Sequence, residues 1–250
     1  MVPPTGQSFT EAQTFPLEGS TTSVGNLIVG NSGTTADLTV GAAVTSASEV
    51  TYRGGSIAVA ANVTSTNGSV AFTSTVASKT YTTSNSATIT AGQGVTISST
   101  GASSTVNTGT GAISAGAVRI SSASTMTSAA PITSRGVVEI SSSAGNTTVS
   151  GGVNSIGDLS IVGGDVAVNA AQTTTNSRNI TIYPRTAYTG TGTLSSAGTL
   201  TISGGSNVGP TAAIQAGGDI TLSGTGTISN ITGAVSYTHL RAHETKAKLV

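Results

Sequence analysis

The feature that most constrains this chain is a three-residue cassette that returns at a nearly fixed interval. It reads Val95-Thr96-Ile97, Val118-Arg119-Ile120, Val138-Glu139-Ile140, Leu159-Ser160-Ile161, Ile180-Thr181-Ile182, Leu200-Thr201-Ile202 and Ile220-Thr221-Leu222. Successive cassettes start 23, 20, 21, 21, 20 and 20 residues apart. A period of this size marks a repeat architecture, in which each unit is too small to bury its own apolar face and must stack on its neighbours. Upstream the pattern is looser: Leu27-Ile28-Val29, Val50-Thr51-Tyr52 and Val70-Ala71-Phe72 lead into the regular series at intervals of 23, 20 and 25.

The phase of the pattern assigns faces. In a strand, residues i and i+2 share a side, so the two apolar residues of each cassette point inward and the middle one points out. Stacking then gives an outward ladder of Thr96, Arg119, Glu139, Ser160, Thr181, Thr201 and Thr221, with Arg119 beside Glu139 on adjacent coils. A second apolar position follows each cassette start by about eight residues, at Met126, Val166, Tyr188, Val208 and Ile228. A third follows at about fourteen or fifteen, at Ile132, Val153, Leu194 and Ile214, and it is broken at Thr174, where the period predicts an aliphatic. Three short strands per unit close a triangle. No segment before residue 234 keeps a 3.6-residue apolar period, so helix is not expected. The expected fold is all-β, a single parallel β-helix (solenoid) with three-sided coils of about 20–21 residues.

Gly94, Gly116, Gly136, Gly157, Gly198 and Gly218 precede their cassettes by one or two residues, as corners needing positive φ or close backbone approach require. In the fifth repeat Ser177-Arg178-Asn179 takes that corner, and Asn tolerates the left-handed region. Residues 1–24 lack the alternation and read as an irregular N-terminal segment: a cap over the first coil or a ragged end. Residues 25–234 carry the repeats.

The last stretch is foreign in composition. Residues 235–250 hold both histidines of the chain and three of its nine basic residues. Ser236-Tyr237-Thr238-His239-Leu240-Arg241-Ala242-His243-Glu244-Thr245 resembles the conceptual translation of a transposase-based sequencing adapter over ten consecutive residues. The expectation is that 235–250 is a non-native tail left by assembly, and that the natural protein continues with further coils of a longer chain.

Chemistry is narrowed by what is missing. There is no Cys, and without the tail no His, which removes thiolate or imidazole metal ligands and Ser-His-Asp or Cys-His catalysis. No catalytic, cofactor-binding or metal-binding residue is assigned, and no cofactor is expected. Nine basic and nine acidic residues, scattered singly, form no stripe able to neutralise phosphates, so nucleic acid is not an expected partner. No apolar run approaches a membrane span.

Paired carboxylates are the one enzymatic alternative. It would be a β-helix glycosidase or lyase using Asp158 and Asp165, with Asp219 and Glu139 as further acids and Tyr183 and Tyr188 to stack a sugar. The aspartates read more simply as turn hydrogen-bonding residues, at different corners of the coil. The sequons at Asn62, Asn67, Asn146, Asn179 and Asn230 read as products of composition. Ice binding by outward threonines is also weighed. The rank Thr181, Thr201 and Thr221 is short, Arg119, Glu139 and Ser160 interrupt it, and no second parallel rank is expected.

The Gly-x-aliphatic-x-aliphatic cassettes, as in Gly157-Asp158-Leu159-Ser160-Ile161 and Gly198-Thr199-Leu200-Thr201-Ile202, sit among Ser/Thr/Gly/Ala-rich spacers. Over about residues 25–233 they resemble the repeats of filamentous-haemagglutinin-type exoproteins and of autotransporter passengers. The resemblance implies a right-handed parallel β-helix, located extracellularly or at the bacterial outer-membrane surface. It also implies use as an adhesin or the stalk of one, without catalysis, whose partners are host-surface or cell-surface glycans or proteins.

Overall fold

The computed structural model describes residues 21–228 apart from 24 and 32, and the backbone of residues 235, 236 and 239–242. Three strands per coil stack in parallel into two 11-stranded sheets and one of 10 strands, about ten turns of about 21 residues. Neighbours in every sheet are three strands apart in sequence, which is the topology of a solenoid and confirms the expected three-sided β-helix.

The cassettes form one sheet in the anticipated register. Val95 pairs with Val118, Val118 with Val138, Val138 with Leu159, and the series continues through Ile180 and Leu200 to Ile220. The looser upstream cassettes join the same column, Leu27 on Val50 and Val50 on Val70. The two inward positions of each cassette are buried from Val50 to Leu222, and these columns form one wall of a hydrophobic core that the inward residues of the other two sides complete. At the N-terminal end the inner column turns aromatic. Tyr52 stacks on Phe72 with ring centroids 5.4 Å apart and planes 7° apart, and Tyr81 from the second sheet tilts against Phe72. Stacks of this kind add about 0.5–1.5 kcal/mol to the area they bury.

The second side follows Met126, Thr147, Val166, Tyr188, Val208 and Ile228. Thr147 is a polar rung invisible to an apolar count; it is fully buried, and its hydroxyl donates to the Val162 carbonyl at 2.7 Å.

The third side corrects the sequence reading. Val153 pairs with Gln172 and Gln172 with Leu194, so the polar break is Gln172, whereas Thr174 lies in register with Ser155 and Ser196. The coil that starts at Leu159 reaches its third side after 13 residues instead of 14 or 15, which displaces the column towards the N-terminus. Gln172 is fully buried; its Nε2 donates to the carbonyls of Ala170 at 2.8 Å and Gly151 at 3.3 Å, while Oε1 has no partner.

The corner glycines are there for close approach. A Cβ on Gly116 would stand 2.1 Å from the Gln93 carbonyl oxygen, and one on Gly157 would stand 2.3 Å from the Gly136 carbonyl carbon. Gly94 is different: it begins a strand in register with Ala117 and has nothing closer than 3.6 Å. None of the six has positive φ. In the fifth repeat the left-handed residues are Asn176 and Ser177, ahead of the expected Asn179.

Within the N-terminal segment, Thr21–Ser23 forms a strand on Val44–Ser46. The cap-or-ragged-end alternative for residues 1–20 lies outside the described residues. So does the rest of the tail; the backbone of Val235–Ser236 lies parallel to Ile214–Gln215, and that of His239–Ala242 to Asp219–Leu222.

Candidate functional site

The polar residues of this chain are organised by the coils. Along one corner the last inward residue of each third-side strand is small: Ser46, Ser65, Ala91, Ala115, Ser134, Ser155, Thr174, Ser196 and Ala216. Where a hydroxyl is present it caps the turn. Ser155 donates to the carbonyls of Gly136 and Gly157 and accepts from the Gly157 amide, and Ser134 repeats the arrangement one coil earlier. Burying backbone carbonyls without partners costs about 1–3 kcal/mol each, so these serines make the tight corner affordable in free energy.

A second set of polar contacts ties each coil to the next. The side-chain oxygens of Asp37, Asn62, Asn146, Asp158 and Asn179 each accept the backbone N–H of a residue one coil on: Ser56, Thr88, Asp165, Asn179 and Thr199, at 2.7–2.9 Å. Asn26 and Asn85 make longer versions to Glu49 and Thr110. Three sequon asparagines are therefore inter-coil clamps.

The acidic residues weighed for catalysis are placed as follows. Glu139 pairs with Arg119 across adjacent coils, as the ladder predicts; both are about half exposed, so the pair contributes a few tenths of a kcal/mol. Asp158 precedes the cassette strand and is occupied by the Asn179 amide, while Asp165 precedes the second-side strand and its own amide donates to Asn146. Asp219 opens a cassette strand. Among the described residues no group of three or more His, Cys, Asp or Glu could hold a metal. Of the two aromatics expected to stack a sugar, Tyr183 is 51% exposed on the cassette face. Tyr188 is not available for that role, because alternation turns it into the core at 1% exposure.

The Lys79 ammonium, 2.9 Å from Asp37, and the Ser56 amide hold the Asp37 carboxyl below its ordinary range. Burial pushes the phenols of Tyr52, Tyr81 and Tyr188 up. Tyr81 accepts the Thr83 hydroxyl at 2.8 Å, whereas the Tyr52 and Tyr188 hydroxyls are buried without a partner.

The outer faces are hydroxyl-rich. A second rank does accompany the cassette ladder, contrary to the sequence reading: Ser98, Ser121 and Ser141 align, then Val162 and Tyr183 interrupt before Ser203 and Ser223. The longer unbroken rank lies on the third side, where Thr22, Thr45, Thr64, Thr90, Ser114 and Thr133 follow one another. It was missed because its residues are spread singly among unrelated spacers. An open depression of about 500 Å³ follows this rank from Thr64 to Thr133, with Arg135 over its edge, donating to the Gly92 carbonyl at 2.7 Å.

Fold and faces together define the chain as a parallel β-solenoid repeat protein. Comparison with protein families, with curated proteins and with solved structures finds no match.

Proposed function

We propose that this chain is a structural, adhesive stalk segment of a secreted or surface-exposed bacterial repeat protein, and that it performs no catalysis. The observation that carries the reading is the uniformity of the solenoid: the cassette columns run from Val50 to Leu222 without a break, and polar side chains mainly cap corners and clamp coils. About ten coils at ~4.8 Å give a rod on the order of 50 Å long, stiff because every backbone ladder runs along its axis. Hydroxyl ranks on the outer faces suit hydrogen bonding to glycans or proteins of a host or cell surface. They are spread along the rod and do not converge on one cleft.

The test is location and binding. Antibodies raised against residues 21–228 should label intact bacteria that carry the gene, and the purified chain should adhere to cells or to members of a glycan array. Labelling only after permeabilisation would remove the surface assignment. Release of reducing ends from a polysaccharide, lost in Asp158→Asn, would replace the stalk with the enzyme.

A further inference from the structure

Asn67-Gly68 is the one Asn-Gly pair in the sequence, and the solenoid fixes its surroundings closely. Gly68 is required: a Cβ there would stand 2.6 Å from the Ser48 carbonyl carbon. Asn67 is exposed, and no hydrogen bond to its side chain occurs among the described residues. Its backbone is held between coils. The Asn67 amide donates to the Ala47 carbonyl at 3.3 Å, and the Gly68 carbonyl accepts from the Gln93 amide at 3.0 Å.

A peptide nitrogen that follows asparagine can attack the side-chain amide when that nitrogen is deprotonated and glycine leaves the approach open. Here the nitrogen in question is that of Gly68, and its proton is engaged: it donates to Ser65 Oγ at 3.1 Å in a buried contact. Ser65 in turn donates to the Ser48 carbonyl and is fully buried. We propose that the Asn67-Gly68 corner is a latent self-modification site, a deamidation site restrained by the Ser65 hydroxyl. In the reaction the Gly68 nitrogen loses its proton to solvent and bonds to Asn67 Cγ. The Cγ–Nδ2 bond breaks, and ammonia leaves after taking up a proton. Water opens the resulting succinimide at either carbonyl. The net change is asparagine plus water to aspartate, or to isoaspartate, plus ammonia. Isoaspartate inserts a methylene into the main chain at a corner clamped from both neighbouring coils, so the product disturbs the stack.

The same rung supplies the controls. Alanine occupies it at Ala91 and Ala115 and threonine at Thr174, so both replacements of Ser65 are compatible with the fold. Purified full-length chain is incubated at mildly alkaline pH. Asn67 conversion is followed by peptide mass mapping and isoaspartate labelling, with folding checked by circular dichroism. Ser65→Ala should deamidate at Asn67 about five- to tenfold faster than the unsubstituted chain, the rate equivalent of one lost hydrogen bond. Ser65→Thr should keep the slow rate. Ser134→Ala, which removes the same kind of cap at Gly136, should leave Asn67 unaffected. The unsubstituted chain unfolded in urea should convert faster than when folded. Equal rates for Ser65→Ala and the unsubstituted folded chain, or no conversion in urea, would overturn the proposal.

Discussion

At the scale of single residues, three tyrosines are buried among the described residues, and they differ in one respect. Tyr81 has Thr83 two positions on to donate to its hydroxyl, whereas Tyr188 has Gly190 in the corresponding place, where a Cβ would lie 2.5 Å from the phenol oxygen. Unpaired buried hydroxyls cost about 1–3 kcal/mol. Tyr188→Phe and Tyr52→Phe are therefore expected to be neutral or stabilising by up to about 1 kcal/mol in thermal melts. Tyr81→Phe strands the Thr83 hydroxyl and costs about 1 kcal/mol. Because burial raises the folded-state pKa of these phenols, their contribution is complete below the ordinary value of 10.0 and is lost as pH rises past it. Tyr52→Phe with Tyr188→Phe should accordingly shift alkaline unfolding to higher pH. Asp37 works at the other end of the scale. Its lowered pKa stabilises the fold above 3.8 and ceases to do so as pH falls through the lowered value. With 60% of the side chain exposed the effect is under about 1 kcal/mol. Asp37→Asn should flatten stability against pH only in that acidic window; an unchanged profile would remove the role given to Lys79.

At the scale of strands and corners, what was legible in the sequence follows from which residues carry a hydropathy signal. The cassette sheet could be read directly because its inward positions are aliphatic, and its register was checked by a charge pair, Arg119 and Glu139, that needs the same alignment. The third side was misread at one coil because Thr174 and Gln172 have the same parity, and neither advertises burial. The serine rung and the Asx clamps were unreadable for a related reason. In a chain this rich in Ser, Thr and Asn, the buried cap and the exposed spacer have the same composition. That Asp158 and Asp165 precede different sides of the coil was legible from the strands they lead into, while the inward turn of Tyr188 followed from alternation and was overlooked. The glycines show the same limit, since a corner glycine and a strand-initial one look identical in sequence. Gly157→Ala forces a Cβ into the Gly136 backbone and should destabilise by more than about 2 kcal/mol. Gly94→Ala places its Cβ at ordinary van der Waals distance, 3.6 Å from the Ala117 carbonyl oxygen, and should gain about 0.4–1 kcal/mol by restricting the unfolded chain. Chemical denaturation of the two variants gives the comparison, and equal effects would contradict the distinction.

At the scale of the molecule, a solenoid is a one-dimensional stack in which each coil ordinarily feels only its neighbours. Among the described residues, three long cations exceed that range. Lys79 reaches Asp37, Arg135 reaches the Gly92 carbonyl, and Arg185 reaches the carbonyls of Ser142 and Gly145, each crossing an intervening coil. The spans 37–79, 92–135 and 142–185 follow one another along the chain and leave only residues 80–91 and 136–141 between them. Neither gap holds a full coil. Excising one coil between Asp37 and Arg185 therefore shortens or removes a strap, whereas excising residues 201–220 leaves all three in place. The second deletion should melt with the sharpness of the intact chain, and deletion of residues 98–120 should melt more broadly. The described coils are thus a ruler that can be shortened by whole graduations beyond Arg185 but not between Asp37 and Arg185, and lineages that change its length by recombination should gain and lose coils beyond Arg185.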